Sequence, residues 1–300
     1  MISILIPVYN YDIRTLVHDL YQQAEKLNVD YEIIVADDKS ESKFRKINKI
    51  ITGLKNVKYI ELDQNIGRSK IRNKLADISS FDFLLFMDCD SKIIKSDFLK
   101  KYIEFCLTKD VVVYGGRIYD VKPSDDQLYL HWVFGKEREE IPTEIRSIQP
   151  NACFMTNNFL INKALFNKIR FNEFIRRYGH EDTLFGYELK VNNVKIIHID
   201  NPLIHTGLEK CDDFIRKTQA GLNNLKIIVS QNGYLKELIN DITVLKYYNI
   251  LKIFRLRYVF SLIFNGLKPV ILKNLCSRNP KLYLFDFFKL GFLTSLMLKK

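Results

Sequence analysis

The hydrophobic positions in the first hundred or so residues form short continuous runs that alternate with amphipathic stretches. "ISILIPV" is a short, nearly continuous apolar run of the kind expected for a strand buried on both faces, and "YEIIVA", "VKYIEL" and "FLLFM" are predicted to be the next three strands. Four helical patterns follow them in turn: Ile13 to Leu27, a segment with Ser40 as a suitable N-cap, "GRSKIRNKLADI" and "SDFLKKYIEFCL". This strict alternation predicts right-handed βαβ units, and therefore an α/β fold with a doubly wound, mostly parallel sheet.

The pattern changes twice further along the chain. From Val111 to Gly207 the strands become shorter ("VVVYGG", "CFMTNNFLI", "VKIIHI"), and the loop "KEREEIPTEIRSIQP" is predicted to be polar and mobile. Residues 211–300 have a helical pattern. The sequence thus predicts three segments: residues 1–110 as the main ligand-binding half of the sheet, 111–210 as an annex over its ligand edge, and 211–300 as a helical C-terminal extension.

The formal net charge of +11 is concentrated near the C-terminal end. From Thr243 onward there are eight Lys and three Arg against one acid, Asp286, which leaves only +1 for residues 1–242. This distribution does not favour a nucleic-acid binder, whose basic residues would be spread over its ligand surface.

Cysteine usage and the first residues indicate the compartment. The five cysteines are scattered and never form a CxxC pair, which predicts reduced thiols and neither a zinc site nor a disulfide framework. The opening "MISILIPVYN" has no basic leader and no cleavage site, so we expect no targeting peptide. Both features predict a cytoplasmic protein.

Polar side chains follow each predicted strand, namely Asn10, Asp37–Asp38, Asn65 and Asp88–Asp90. Ligands of doubly wound sheets bind beyond the carboxyl ends of the strands, where these residues would converge. Two carboxylates one residue apart repel each other unless a cation lies between them, and Mg²⁺ or Mn²⁺ takes oxygen ligands and bridges phosphate oxygens. Asp88 and Asp90 therefore predict a site for a metal-bound diphosphate. The alternative is a solvated turn, in which Asp is common.

Two further groups could contact a nucleotide. One of Asp37 and Asp38 could accept hydrogen bonds from a base or ribose, or these acids could simply favour the start of the next helix. Gly67 permits close backbone approach at a helix start, where free N–H groups suit an anion, and Arg72 lies about one turn further along. An ordinary basic surface helix explains Arg68 and Lys70 equally well.

The annex contributes two more candidates. In "RRYGHEDTLFGYEL", Glu181 and Asp182 open a helical pattern and could be a helix cap, or could supply the carboxylate base that deprotonates a hydroxyl. In "NPLIHTG", His205 follows a strand and is either structural or a metal ligand. An imidazole nitrogen is a better ligand for Mn²⁺ than for Mg²⁺, so it would favour Mn²⁺ as the metal.

Taken in order, "ILIPVYN", "VADDKS", "NIGRSKIRN" and "FMDCD" resemble the N-terminal half of the inverting family 2 glycosyltransferases, which have a Rossmann-like GT-A fold. "YGHEDTLFGYEL" followed by "NPLIHTG" resembles the acceptor-side motif of chondroitin-polymerase-like and β-galactosyltransferase-like members. The ordered series covers roughly residues 1–207, which is more specific than any one motif.

This resemblance implies a metal-dependent transfer, with Mn²⁺ or Mg²⁺, of a sugar from a UDP-sugar to a saccharide or lipid-linked saccharide. The product would be a β-glycosidic bond in a surface polysaccharide or other glycan. Residues 1–110 would then bind the nucleotide-sugar, and 111–210 the acceptor. The implied roles are: Pro7, Val8 and Tyr9 lining the nucleotide pocket; Asp38 on the uracil; Arg72 on base or phosphate; Asp88 on ribose or donor sugar; Asp90 and His205 on the metal; Asp182 as base; and Glu181 orienting the acceptor.

Residues 243–300 combine apolar, aromatic and basic side chains. No stretch of eighteen apolar residues is free of charge, so a spanning helix is not predicted. Two interpretations stay open: a helical subdomain packed on the core, or a peripheral anchor on an anionic membrane surface, at the cytoplasmic face of the inner membrane.

Two other functions compete with sugar transfer. A nucleotidyltransferase on a similar sheet usually has a glycine-rich basic loop after its first strand, and "PVYNYD" contains no glycine. A non-catalytic basic binding module, for example for nucleic acid, is disfavoured because the predicted crevice is acidic and would repel phosphate without a metal.

Overall fold

The computed structural model describes residues 1–108, 110–175, 179–230 and 241–299. The chain forms two compact units. Unit 1 consists of Met1–Asp120, Glu139–Arg176 and Glu181–Gly207, and unit 2 of Val121–Arg138, Arg177–His180 and Leu208–Lys300. Each unit is described separately below.

Unit 1 is built on a seven-stranded sheet with the order β3-β2-β1-β4-β8-β6-β9. Strand β8 is antiparallel to both of its neighbours, and the other pairs are parallel. The strands of this sheet are β1 (Ile2–Val8), β2 (Tyr31–Asp37), β3 (Val57–Glu61), β4 (Phe83–Met87), β6 (Val111–Tyr114), β8 (Asn158–Asn162) and β9 (Lys195–His198). The mostly parallel α/β arrangement predicted from the sequence is confirmed.

Helices cover both faces of this sheet. They are α1 (Arg14–Leu27), α2 (Ser42–Asn48), α3 (Arg68–Ile78), α4 (Phe98–Ile103), α6 (Thr143–Ile148), α7 (Lys163–Lys168) and α8 (Glu181–Val191). One buried cluster joins Ile4 and Ile6 of β1 to α1 and α4, and another joins Leu5 to α3, α7 and α8. Alternate residues of β1 therefore face different helix layers, which explains why the strand carries apolar residues on both faces.

A second, three-stranded sheet lies within unit 1 and was not predicted. It consists of β5 (Ser91–Lys92), β10 (Leu203–His205) and β7 (Arg117–Tyr119), in that order. The antiparallel register places His205 opposite Ser91, directly after Asp90. This small sheet therefore brings residues from three distant parts of the sequence to the end of β4.

Two local expectations were wrong. Helix α2 begins at Ser42 without a side-chain cap, and the Ser40 hydroxyl instead accepts a hydrogen bond from the Asn10 N–H at 2.8 Å. The segment expected to be a mobile loop contains a π-helical turn, Gly135–Glu139, and helix α6. Arg146 of α6 is buried and donates to the carbonyl oxygens of Gly115 and Ile199, which anchors the helix.

Unit 2 is helical in its described residues. Its helices are α5 (Tyr129–Phe134), α9 (Cys211–Ser230), α10 (Thr243–Ile253), α11 (Arg257–Leu275) and α12 (Leu282–Leu298). A core that includes Phe214, Phe264, Phe285 and Phe288 joins α5, α9, α11 and α12, and a second cluster joins Leu245 of α10 to α9 and α12. Across the described ranges, we find no helix with the length and apolar character needed to cross a bilayer.

A disulfide joins Cys211 at the start of α9 to Cys276 at the end of α11. The expectation that all five cysteines are reduced was therefore wrong for this pair, while Cys89, Cys106 and Cys153 are free. The two partners are 65 residues apart in sequence, and only helix packing brings them together. Their spacing gave no signal of pairing.

Candidate active site

Asp88, which directly follows β4, lies between two arginines of unit 1. Arg72 on α3 is only 2% exposed, and its Nη2 donates to Asp88 Oδ1 at 2.7 Å. Arg117 on β7 donates from Nη2 to Asp88 Oδ2 at 3.3 Å and from Nη1 to Glu139 Oε2 at 3.0 Å. Burial acts to lower the pKa of Arg117, but the nearby acids outweigh it and the pKa is raised. Asp88 is thus held by two cations that stay charged.

Asp90 lies two residues further along and faces His205. The distance from His205 Nδ1 to Asp90 Oδ1 is 3.5 Å, and the Thr206 N–H donates to the Asp90 carbonyl oxygen at 2.8 Å. Gly207 packs against the carboxylate, because a Cβ built there would lie 2.5 Å from Asp90 Oδ2. Asp90 Oδ1 is buried and accepts no hydrogen bond from any described residue.

Asp90 and His205 fit a divalent cation. A buried carboxylate oxygen without a donor lies close to an imidazole nitrogen, and this oxygen and nitrogen pair suits Mn²⁺. Burial acts to raise the pKa of Asp90, but His205, Arg117 and Arg68 outweigh it and the pKa is lowered, so the carboxylate stays ionised.

Unit 2 contains another possible cluster of metal ligands. Within the described ranges, Cys211, Asp212 and Cys276 are the one group of three candidate ligand side chains close together. Their two sulfur atoms are joined in the disulfide, so this group is not a metal site.

Glu181 and Asp182 open α8 and have different surroundings. Glu181 is buried, with Oε1 3.1 Å from Arg68 Nη1 and 4.0 Å from Arg72 Nη1. Burial acts to raise the pKa of Glu181, but these two arginines outweigh it and the pKa is lowered. Asp182 is half-buried, and burial together with the charge of Glu181 raises its pKa to about 6. An acid with a lowered pKa thus lies beside one that can exchange a proton near neutral pH.

These carboxylates belong to one electrostatic cluster. Arg68 pairs with Glu181 and acts to lower the pKa of both Asp90 and Asp182, and Glu139 acts to raise that of Asp182. The cluster contains five acids, Asp88, Asp90, Glu139, Glu181 and Asp182. It also contains three guanidinium groups, those of Arg68, Arg72 and Arg117. When all are charged, the acids exceed the guanidinium groups by two, an excess that a divalent cation would offset.

The two acids at the end of β2, Asp37 and Asp38, stabilise the backbone around them. Asp37 is fully buried and accepts from the Ser40 N–H at 2.6 Å and from the Tyr59 hydroxyl at 2.6 Å. Asp38 Oδ1 and Oδ2 accept from the N–H groups of Ile66 and Gly67, at 2.7 and 3.0 Å. The pKa of Asp38 is raised, chiefly by burial. The N–H groups expected to bind a ligand anion at the start of α3 are thus already bound, in part, to Asp38.

Gly67 lies at the start of a helix, as the sequence predicted. Its φ of 84° lies in the region that glycine adopts without strain, and it forms the N-cap of α3. The residues expected to line the nucleotide pocket divide by exposure: Val8 packs in the core, Pro7 is half-buried, and Tyr9 is 54% exposed. Val8 is only 1% exposed, and its carbonyl oxygen accepts a hydrogen bond from the Asp38 N–H at 2.8 Å.

Sequence reasoning missed two members of the cluster and left a third, Arg68, undecided. Arg117 and Glu139 were not singled out, although Arg117 directly follows a pair of glycines, Gly115 and Gly116. Arg68 could not be distinguished from an ordinary surface arginine. Its role depends on Glu181, which is 113 residues away in sequence. That pairing has no local signal.

Comparison with known proteins gives one family. The model of the family described as "Glycosyl transferase family 2" matches residues 3–183. Chondroitin synthase of Escherichia coli is 26% identical over 221 residues, which cover 63% of this chain and 32% of that protein. The chain therefore matches about a third of the length of this relative.

Solved structures show the same fold at low identity. A mannosyltransferase from Pyrobaculum calidifontis, in complex with GDP-Man and Mn²⁺, is 12% identical with a TM-score of 0.62, and the match covers 99% of this chain and 86% of that one. Residues 1–349 of S. aureus TarS are 20% identical with a TM-score of 0.51, over 97% and 90% of the two chains. At these identities the likeness concerns the fold alone.

Proposed function

Because the chain belongs to glycosyl transferase family 2, with the GT-A fold that its sequence predicts, we propose that it transfers a sugar from a UDP-sugar to a saccharide hydroxyl with inversion. The chain is a glycosyltransferase; its donor, acceptor, metal and residue roles are the subject of the proposal. The observation that carries the proposal is Asp182, a carboxyl with a pKa of about 6 in the same charged cluster as Asp88 and Asp90.

The donor diphosphate would be held at the end of β4. Asp90 and His205 would ligate Mn²⁺, or Mg²⁺, which when bound neutralises phosphate charge and stabilises the departing UDP. Among the described residues, Arg72 Nη1 donates a long hydrogen bond to Arg68 O at 3.4 Å and lies 4.0 Å from Glu181 Oε1, so it could also donate to the base or a phosphate. Asp88 would accept from the ribose or the donor sugar, and its two arginines fix its orientation for that contact.

Asp182 would act as the base. It would accept the proton of the acceptor hydroxyl as that oxygen attacks the anomeric carbon in line, and a single displacement turns an α-linked donor into a β-linkage. Its ordinary pKa would make it a weak base, and the raised value of about 6 brings it close to neutral pH. Glu181 would orient the acceptor while the arginines keep it ionised.

For the acceptor we propose a free or lipid-linked saccharide, in the synthesis of a surface polysaccharide or other glycan. A lipid-linked acceptor would place the enzyme at the cytoplasmic face of a membrane. The free thiols Cys89, Cys106 and Cys153 favour a reducing compartment, whereas the Cys211–Cys276 pair favours an oxidising one. The family match disfavours both competing functions, nucleotidyl transfer and a purely basic binding module.

The proposal is tested with a panel of UDP-sugars and GDP-mannose, with Mn²⁺ or with EDTA, by following release of the nucleoside diphosphate. We expect at least one UDP-sugar to be hydrolysed slowly with Mn²⁺ and not with EDTA, and faster when an acceptor saccharide is added. Release from GDP-mannose alone would overturn the proposed donor class, and release that is equal in EDTA would overturn the metal.

A further inference from the structure

The outer face of α11 exposes large apolar side chains. The inner face is fixed by packing on α12, where Ser261 Oγ lies 2.8 Å from Ser295 Oγ and the Phe264 ring lies against Gly291. The opposite side, called the α11 face here, consists of Tyr258, Val259, Leu262, Ile263, Leu267 and Val270, all classed as exposed. Leu262 is 73% and Val270 68% exposed, and contiguous patches of this kind mark interaction surfaces.

The charged residues of α11 and of the segments that flank it in the sequence are all basic. Between Asp241 and Asp286 the sequence contains eight Lys and Arg and no acid. Lys252 and Arg255 precede α11, and Lys273 lies in its last turn, one helical turn beyond Val270; all three are exposed. The apolar face is therefore bordered at both ends by cations.

We propose that the α11 face binds the surface of an anionic lipid bilayer, with its apolar side chains in the interface and the basic residues among the headgroups. An apolar helix face bordered by Lys and Arg is the pattern of a helix that lies in the membrane plane, and anionic headgroups complement its charge. A second copy of the chain complements it poorly, since it would bring the same cations to the contact. The proposal concerns unit 2 alone and does not depend on the chemistry of unit 1.

The test measures sedimentation of the full chain with vesicles of phosphatidylcholine, with and without phosphatidylglycerol, at physiological salt. One variant, Leu262→Ser/Val270→Ser, removes apolar contact, and another, Lys252→Glu/Lys273→Glu, reverses charge at the two ends of the face. The matched controls in unit 1 are Ile50→Ser/Ile148→Ser, at 71% and 73% exposed positions, and Lys46→Glu/Lys49→Glu. The same samples are assayed for UDP binding without vesicles.

We expect the native chain to bind the phosphatidylglycerol vesicles and only weakly the neutral ones. Each α11 variant should bind about tenfold less, because both apolar burial and headgroup attraction contribute, and the unit 1 controls should bind like the native chain. UDP binding should be the same in the native chain, the α11 variants and the controls. Vesicle binding therefore tests the membrane proposal separately from the proposal of sugar transfer.

Three results would overturn the proposal. They are no binding of the native chain to anionic vesicles, equal binding by the charge-reversal variant, or a native dimer that Leu262→Ser/Val270→Ser converts to a monomer without any vesicle binding. Because the charge-reversal variant alters only exposed side chains, it keeps the test decisive even where the apolar variant folds poorly.

Discussion

Two adjacent carboxylates, Glu181 and Asp182, differ in their neighbours, and this difference determines what each can do. Glu181 faces two guanidinium groups and stays ionised, whereas Asp182 lies beside a negative charge in a partly buried position. Substituting one for the other should therefore not be neutral, although both are acids at the start of the same helix.

The first prediction concerns Asp182→Asn. The amide keeps the size of the side chain but accepts no proton, so kcat should fall by about a hundredfold or more while UDP still binds. The proposed base would accept a proton only when it is itself deprotonated, so kcat/KM of the native chain should fall as the pH drops through about 6. Steady-state kinetics across pH give both results. Asp82→Asn, at an exposed position before β4, is the control. Native-like turnover in Asp182→Asn would show that Asp182 is not the base.

At the level of elements, the long strands of the main sheet were predictable and the short ones were not. β1 and β4 coincide with the runs "ISILIPV" and "FLLFM" because a strand covered by helices on both faces buries almost all of its side chains, most of which are therefore apolar. β5, β7 and β10 have two or three residues each, too few to form a periodic pattern. The position of Asp88 and Asp90 at a strand end was therefore foreseeable, whereas Arg117 as a partner of Asp88 was not.

The second prediction compares two glycines within helices of unit 2. Gly291→Ala in α12 should destabilise the protein by about 1–3 kcal/mol, because the added Cβ would lie 2.2 Å from the Phe264 ring. Gly266→Ala in α11 meets no atom of the described structure within 4 Å and should stabilise it by about 0.5–1 kcal/mol through helix propensity. Urea unfolding of both variants measures this. The same sign for both would contradict the described packing of α11 on α12.

The third prediction concerns the disulfide between α9 and the end of α11. It closes a long loop in the unfolded chain, so Cys211→Ser/Cys276→Ser should lose about 2–4 kcal/mol of stability. Reducing agent should lower the free energy of unfolding of the native chain by a similar amount, which is seen as a lower urea midpoint. The midpoint of the double variant should not change on reduction. Cys153→Ser, at a free cysteine, is the control. An unaltered midpoint on reduction would show that the pair does not stabilise unit 2.

At the scale of the whole molecule, charge is divided between two regions of the sequence. The carboxylate cluster belongs to unit 1, whereas most of the excess positive charge lies after Thr243 in unit 2. Composition alone showed this division, because it needs only residue counts. The grouping of the five acids with their arginines could be recognised only in the folded structure. Its members come from the segment after β4, from β7, α3 and α8, and from the π-helical turn.

The proposed metal site at Asp90 is tested most directly by the affinity of the full chain for UDP, determined calorimetrically with Mn²⁺ and with EDTA. It is made on the native chain, on Asp90→Ala, and on Asp82→Ala as the matched control. We predict that UDP binds at least about tenfold more tightly with Mn²⁺ than with EDTA. Asp90→Ala should lose this difference in affinity, and Asp82→Ala should keep it. Equal affinity of the native chain in Mn²⁺ and EDTA, or an undiminished effect of Mn²⁺ in Asp90→Ala, would contradict the proposed metal site.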